Sequence, residues 1–371
     1  MNHTALLDKH KGLNAKIVDF HGWEMPLHYE EGIVNEHMAV RSRLGIFDVS
    51  HMGDLMIYDD VEGLQSLLTN DILNLKIGKG AYTHLTDREG RIIDDLIVTK
   101  ISEDVFFCVP NASMTGTVID WMVSNSSVRI EDLTHDLSCV AVQGPDIMES
   151  MTELFGDIIN EIKRFCVIPY DFDNRKSIDF DCLNSQSMKS NIGVISRTGY
   201  TGEEGFEIIV PNDFAKDVWD YFIGKNAQPV GLGARDTLRL EMGYLLSGQD
   251  FNRDRTPIET NCSWVVKWDH DFIGKERMLA LKESETHQKM IGIYIEGKAP
   301  ARTGSPVLLP DSPHEMVGSV SSGNFSPVLG HSIALAYLNH EHCEPGKEVL
   351  LEHRGRHLKG VTTKTPFIKK K

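Results

Sequence analysis

The chain of 371 residues lacks any apolar run approaching the roughly eighteen residues of a membrane span, so a membrane partner is not expected. Its first residues carry Asp8, Lys9, His10 and Lys11 where a signal peptide needs an apolar core, and no arginine marks a transit peptide. The expectation is a cytoplasmic protein. Six cysteines are present, at positions 108, 139, 166, 182, 262 and 343, and no two form a C-x-x-C pair. That excludes a disulfide framework and a zinc site, and points to buried thiols in a reducing compartment. His340-Glu341-His342-Cys343 has metal-ligand chemistry, but it precedes Pro345-Gly346 and reads as a solvated turn, so no metal is expected. Gly231-Leu232-Gly233 lacks the third glycine of a dinucleotide fingerprint, and neither a phosphate-binding loop nor a nucleophile elbow occurs. Basic charge is scarce: the formal net charge is -16, which argues against nucleic acid as a partner. One segment departs from this, because Arg354 to Lys371 holds seven basic residues and no acid. It suits either a solubilising tail or a docking patch for an acidic partner.

What is present reads as an α+β chain. Apolar spacing predicts a helix from Ile33 to Leu44, strands at Ile46 to Val49 and Asp54 to Ile57, and a short helix from Val61 to Leu68. Ala81 to Thr86 and Ile92 to Thr99 read as a hairpin across Asp87-Arg88-Glu89-Gly90, followed by a strand at Val105 to Val109 and a helix through Val123. A strand from Cys139 to Gln143 and a helix toward Phe155 come next. Residues 156–191 carry too weak a pattern to place. Asp213 to Phe222 and the stretch from Gly231 to Leu240 are helical, and Lys282 to Met290 is polar enough for a linker or exposed helix. From Ile291 to Phe367, short strands and Gly/Pro turns indicate a small β-barrel or sandwich.

Three places carry side chains suited to chemistry. Ser196-Arg197-Thr198-Gly199-Tyr200-Thr201-Gly202-Glu203-Glu204-Gly205-Phe206-Glu207 reads as a β-hairpin turn. Gly199 and Gly205 suit φ > 0, and Glu207 falls at the start of the second strand. A carboxylate on a rigid strand can accept two parallel N–H bonds from a flat heterocycle; the competing reading is a solvated acidic turn. Asp94 and Asp95 are adjacent within an apolar strand, so they point to opposite faces and cannot form a close dyad. One should face solvent or a sheet edge, and the other an interior or pocket. Arg235 lies in the first turn of a helix, where it can hold an anion or pair on the surface with Asp236 or Glu241.

These residues sit within a longer series of motifs. Val18-Asp19-Phe20-His21-Gly22-Trp23-Glu24-Met25-Pro26, Phe47-Asp48-Val49-Ser50-His51-Met52-Gly53, Leu68-Thr69-Asn70-Asp71 and Val142-Gln143-Gly144-Pro145 are four of them. Gly90 to Asp95, the Ser196 to Glu207 hairpin, Gly231 to Leu240, Thr256-Pro257-Ile258-Glu259 and Asn324-Phe325-Ser326-Pro327 continue it. In this order and over the full length, they resemble the T proteins of the glycine cleavage system, the tetrahydrofolate-dependent aminomethyltransferases. The resemblance implies a three-domain cloverleaf of antiparallel sheets flanked by helices, a C-terminal small β-barrel, and folate in a central channel. Residues 1–280 would form the folate-binding region, two intertwined α+β domains with the second near 52–138, and residues 285–371 the barrel.

The resemblance also implies a division of roles. Asp95 would be the catalytic carboxylate near N10 of tetrahydrofolate. Glu207 would bind the pterin edge, with Tyr200 and Tyr82 lining its pocket. Asn111 and Val109 would contact the folate, Met52 and Leu55 would border the channel, and Arg235 would be a substrate-binding cation. The implied partner is the lipoylated H protein, an acidic carrier, linked functionally to glycine decarboxylase and dihydrolipoamide dehydrogenase. A folate-dependent demethylase of a small methylated compound is the alternative on the same fold. A folate-binding module of iron–sulfur assembly is disfavoured, since no Lys-Gly-Cys-Tyr-type run occurs. The sequence departs from the family pattern at His21, where a glycine is common, and at Pro110 before Asn111.

Overall fold

A computed structural model describes residues 1–284 and 286–369. The chain divides into two compact units. One comprises Met1–Thr83 and Asp95–Arg235, the other His84–Asp94 and Asp236–Lys371.

The first unit is built on a seven-stranded sheet. Its order is Lys176–Ser177, Val167–Asp171, Ile192–Ser196, Gly205–Pro211, Leu137–Gln143, Gly45–Asp48 and Gln228–Pro229. Every residue of the central strand Leu137–Gln143 is buried, as expected of a strand covered on both faces. Helix Asn212–Gly224 packs on it through Ala215, Val218, Trp219 and Phe222, a spacing of three and four that places all four side chains on one stripe. Ile147 and Met151 of a second helix, Ile147–Phe155, join the same core. Full burial of each such side chain contributes about 1.5–3 kcal/mol. The hairpin expected across Asp87 to Gly90 forms between Gly80–Thr86 and Ile92–Lys100, with Gly90 at φ 75° and the Asp87 carboxylate accepting the amides of Glu89 and Arg91. These strands belong to a five-stranded sheet that continues through Val105–Val109, Leu55–Tyr58 and Arg129–Asp132. The weakly patterned residues 156–191 supply the strand Val167–Asp171, the two-residue edge strand Lys176–Ser177 beside it and a chain of short turns; their periods are too brief to register as repeats. At the N-terminus, His21 sits at φ 51°, a left-handed backbone that explains why glycine is common at that position.

The second unit contains a closed six-stranded barrel, in the order Lys289–Ile295, Ser332–Leu338, Ser312–Phe325, Pro306–Leu309, Glu348–His353 and Arg356–Thr363. Closure removes the exposed edges that such short strands would otherwise present. Ile291, Ile293 and Ile295 alternate into its core with Val307, Ala334, Ala336 and Leu351. On the other face of that first strand the ring of Phe367 fills the space beside Gly292 and meets Tyr294 edge-on, ring centroids 5.7 Å apart. Within the polar stretch Lys282 to Met290, residues 282–284 end helix Lys275–Ser284 and residues 289 and 290 begin the first barrel strand. All six cysteines are free; Cys108, Cys139 and Cys262 are buried, whereas Cys182 lies exposed in the turn Phe180–Cys182, against the expectation of a buried thiol. Of the basic tail, Lys370 and Lys371 lie outside the described residues.

Candidate functional site

The Ser196 to Glu207 segment joins two paired strands, Ile192–Ser196 and Gly205–Pro211, with Ser196 opposite Glu207 and Ala141 on Glu207's other side. Glu207 therefore stands on an interior strand, held from both neighbours. Only Gly202 of the three loop glycines takes a positive φ, 86°. Gly199 and Gly205 serve a different purpose from the one expected: a Cβ at either would lie 2.0 or 2.5 Å from side-chain atoms of Gln143. Their absent side chains make room for Gln143, which enters the loop and bonds to it. The acidic turn residues are paired, Glu203 with Arg41 at 2.8 Å and Glu204 with Arg197 at 2.9 Å. Glu207 is half-buried, and its Oε2 accepts the hydroxyl of Thr198. No other hydrogen bond reaches its carboxylate among the described residues, which leaves Oε1 to accept from a ligand. The guanidinium of Arg235 lies over the Tyr200 ring, 4.8 Å from its centroid. Of the surface partners considered for Arg235, Asp236 pairs with Arg239 at 2.7 Å and Glu241 accepts from the hydroxyl of Ser326. Arg235 belongs to the helix Leu232–Glu241, whose entry is fixed by the buried Glu36: its carboxylate accepts the amides of Tyr29 and Gly231 at 2.6 and 2.9 Å.

A second constellation forms on the strand Ile92–Lys100. Alternation sends its two aspartates to opposite faces, and neither is exposed. Asp94 is fully buried and its Oδ1 accepts the Ser247 hydroxyl at 2.9 Å. Asp95 is half-buried, with Tyr82 donating its hydroxyl to Oδ2 at 2.9 Å and Asn111 donating Nδ2 to Oδ1 at 2.7 Å. Of the two faces expected, Asp94 takes the interior one, and Asp95, on an interior strand of the sheet and not at its edge, keeps only partial exposure. A carboxylate accepts on both oxygens, so the Tyr82 and Asn111 donors fix the orientation of Asp95.

Met52 precedes both constellations in sequence, in the loop from Ser50 to Asp54 that leads into Leu55–Tyr58. That loop is tied to the segment carrying Val109 and Asn111: the Gly53 amide donates to the Pro110 carbonyl at 3.0 Å. A Cβ on Gly53 would meet the Pro110 ring at 2.6 Å, so Gly53 permits the close approach. Met52 and Val109 are half-buried, whereas Leu55 is fully buried opposite Cys108.

The same loop holds ionisable groups that sequence reasoning did not single out. Asp54 is buried, its Oδ2 has no partner among the described residues, and burial pushes its carboxyl up to about 8, with the charges of Asp132 and Glu207 adding to the shift. His51 is buried, its Nδ1 likewise lacks a partner, and burial together with the Arg235 charge lowers it to about 3. Beneath the loop lies Asp48, which accepts from His10 Nε2 at 2.8 Å, from the Ser50 amide at 2.9 Å and from the Thr4 hydroxyl at 2.5 Å. Burial opposes its ionisation, but these hydrogen bonds and the His10 charge together hold it down at about 2. Phe47-Asp48-Val49-Ser50-His51-Met52-Gly53 was legible as a motif, but burial of its polar members is a tertiary property. No group of three or more His, Cys, Asp or Glu that could hold a metal occurs among the described residues. Nor is any described helix long and apolar enough to cross a membrane.

Comparison with known proteins yields consistent relatives. The GCVT N-terminal domain family matches residues 6–270, and the glycine cleavage T-protein C-terminal barrel domain family matches residues 288–369. The aminomethyltransferase of Thermotoga petrophila is 40% identical over 379 aligned positions, covering 100% of this chain and 98% of its own. That of Halothermothrix orenii is 35% identical over 99% of this chain and 100% of its own. Among solved structures, aminomethyltransferase T of the glycine cleavage system from Bartonella henselae superposes with a TM-score of 0.88 at 28% identity, covering 99% of this chain and 98% of its own.

Proposed function

Because the chain belongs to the glycine cleavage T-protein family and is an aminomethyltransferase of the glycine cleavage system, we propose the roles its residues take in that reaction. In this family the methylene of an aminomethyl group, carried on the lipoyl arm of the H protein, passes to tetrahydrofolate. Ammonia leaves and 5,10-methylenetetrahydrofolate forms. On our reading Asp95 is the acid–base group at N10 of the folate. Tyr82 and Asn111 hold its carboxylate in one orientation, so that a lone pair faces the nitrogen whose proton must move as the new C–N bond forms. Glu207 binds the amino-pyrimidinone edge of the pterin, whose parallel N–H donors match a carboxylate with one oxygen uncommitted. Tyr200, stacked under the Arg235 guanidinium, offers a flat wall beside it, and Arg235 supplies a cation for an anionic part of the substrate. Met52 and Val109, both half-buried, form the apolar border of the folate channel, whereas Leu55 has no exposed surface with which to line it. Positioning the arm's methylene against folate where water is scarce supplies most of the acceleration.

The observation that carries this reading is the Tyr82–Asp95–Asn111 triad, a carboxylate oriented on both oxygens and still partly accessible. Its test is Asp95→Asn, assayed with aminomethyl-loaded H protein and tetrahydrofolate. Turnover is expected to fall by at least a hundredfold, in the range of general acid–base catalysis, while folate affinity changes only a few-fold. Unchanged turnover removes Asp95 from the role. The acidic H protein docks, on this reading, with help from the basic hairpin at Arg354 and Arg356, and the reaction takes place in the cytoplasm, in keeping with six free thiols.

A further inference from the structure

We infer that Thr198 and Gln143 are positioning residues for folate recognition, aiming the Glu207 carboxylate through a fixed hydrogen-bond relay. The inference rests on the reading of Glu207 as the pterin anchor.

The relay runs in one direction. Thr198 Oγ1 donates its only proton to Glu207 Oε2, so its 2.9 Å contact with Ser196 Oγ must have Ser196 as the donor. Both hydroxyl-bearing residues are buried, and Ser196 lies directly opposite Glu207 in the strand register. The backbone of Thr198 is fixed in turn by Gln143. This side chain, 1% exposed, donates Nε2 to the carbonyl of Thr198 at 3.1 Å and to that of Phe206 at 3.4 Å. Its Oε1 accepts from the Thr201 hydroxyl at 3.0 Å. One side chain thus spans the loop and grips it at the residue that bonds Glu207 and at the residue that precedes Glu207. Gly199 and Gly205 leave the space in which it lies. A glutamate side chain has three rotatable bonds, and committing Oε2 to Thr198 leaves Oε1 pointing one way. A ligand offering parallel donors then meets a carboxylate that needs no reordering on binding. A loop held only for stability would be served by the Gln143 contacts alone, with no need for a hydroxyl on the carboxylate.

The test compares Thr198→Val, Thr198→Ser, Glu207→Gln and the Thr198→Val/Glu207→Gln double variant in the full chain. Tetrahydrofolate affinity, KM and kcat with loaded H protein, and the thermal midpoint are measured for each. Thr198→Val is expected to raise the KM and Kd for folate about tenfold, the scale of one hydrogen bond to a charged group, with kcat at saturating folate within about twofold. Thr198→Ser should restore both, and the double variant should bind no worse than Glu207→Gln alone. Normal folate binding by Thr198→Val beside a weakened Glu207→Gln overturns the relay and spares the anchor. Normal binding by Glu207→Gln overturns the anchor and the relay with it. Additive losses in the double variant also overturn the relay. If Thr198→Val does not fold, Ser196→Ala removes the outer donor alone; a KM for folate raised several-fold supports the relay and an unchanged one overturns it.

Discussion

Asp54 keeps a proton in the folded chain that it would lose in the unfolded one. Its ordinary pKa of 3.8 is raised to about 8 chiefly by burial, so between those values unfolding allows the group to ionise and stability falls as pH rises. His51 gives a slope of the opposite sign: lowered from 6.5 to about 3, it gains a proton on unfolding, and stability falls as pH drops through that window. Asn in place of Asp54 removes the first slope and leaves the second. The urea midpoint of Asp54→Asn, measured against the parent chain, is therefore expected to gain steadily from pH 4 to pH 8 and to level off above it. A difference that does not vary with pH would show that Asp54 ionises freely in the folded state. Neither group announces itself in sequence, where Ser50-His51-Met52-Gly53-Asp54 has the composition of an exposed loop. Burial makes them unusual, and their surroundings come from residues remote in sequence: the Phe20 ring packs on His51, and the charges of Arg235 and Asp132 act on His51 and Asp54.

At the scale of elements, the hairpin from Ser196 to Glu207 was legible as strand, turn and strand because its flanks are apolar and its centre is rich in glycine. The reason for two of its glycines was not. Gly205 lacks the left-handed backbone that would have required it; it is held to glycine by contact, with a Cβ due 2.5 Å from Gln143 and 2.6 Å from the Val142 carbonyl. The carbonyl belongs to a buried strand and cannot move aside. Gly205→Ala should accordingly destabilise the chain by about 1–3 kcal/mol, the usual penalty for overpacking, and should weaken folate binding along with it. Thermal unfolding with and without folate checks both parts, and an alanine variant of parental stability would mean that the loop has slack. The helix Leu232–Glu241 gives a similar lesson. Its apolar spacing was readable, whereas the buried Glu36 that holds Gly231, the residue just before it, lies almost two hundred positions away.

Across the whole molecule, the net charge of -16 and the run of basic residues at the C-terminal end set up a local contrast with consequences for docking. Arg354 and Arg356 sit exposed at the turn between the last two barrel strands, Glu348–His353 and Arg356–Thr363. Reversing both charges should raise the KM for the acidic carrier several-fold at low ionic strength, with kcat unchanged, and the difference should shrink as salt screens it. A carrier KM insensitive to salt and to the reversal would exclude steering by this hairpin. Truncation of the tail is a poorer probe, because Phe367 is buried against Gly292 and Tyr294 and donates its amide to the Glu241 carbonyl. Removing it should cost about 3–5 kcal/mol of stability, which would mask any effect on docking.

Most strands and helices outside residues 156–191, and a C-terminal barrel or sandwich, follow from the sequence by itself, because apolar periodicity and short turn motifs are local; the family follows from the ordered motifs that resemble it. The two aspartates show where that stops. Alternation along a strand already separated Asp94 from Asp95, but only the sheet around them decided that one is sealed against Ser247 and the other held open between Tyr82 and Asn111. The pairing of Glu207 with Thr198 and the grip of Gln143 on their loop were likewise decided by tertiary structure. Hydrogen bonds between strands that are distant in sequence leave no periodic trace, and the direction of a carboxylate depends on them.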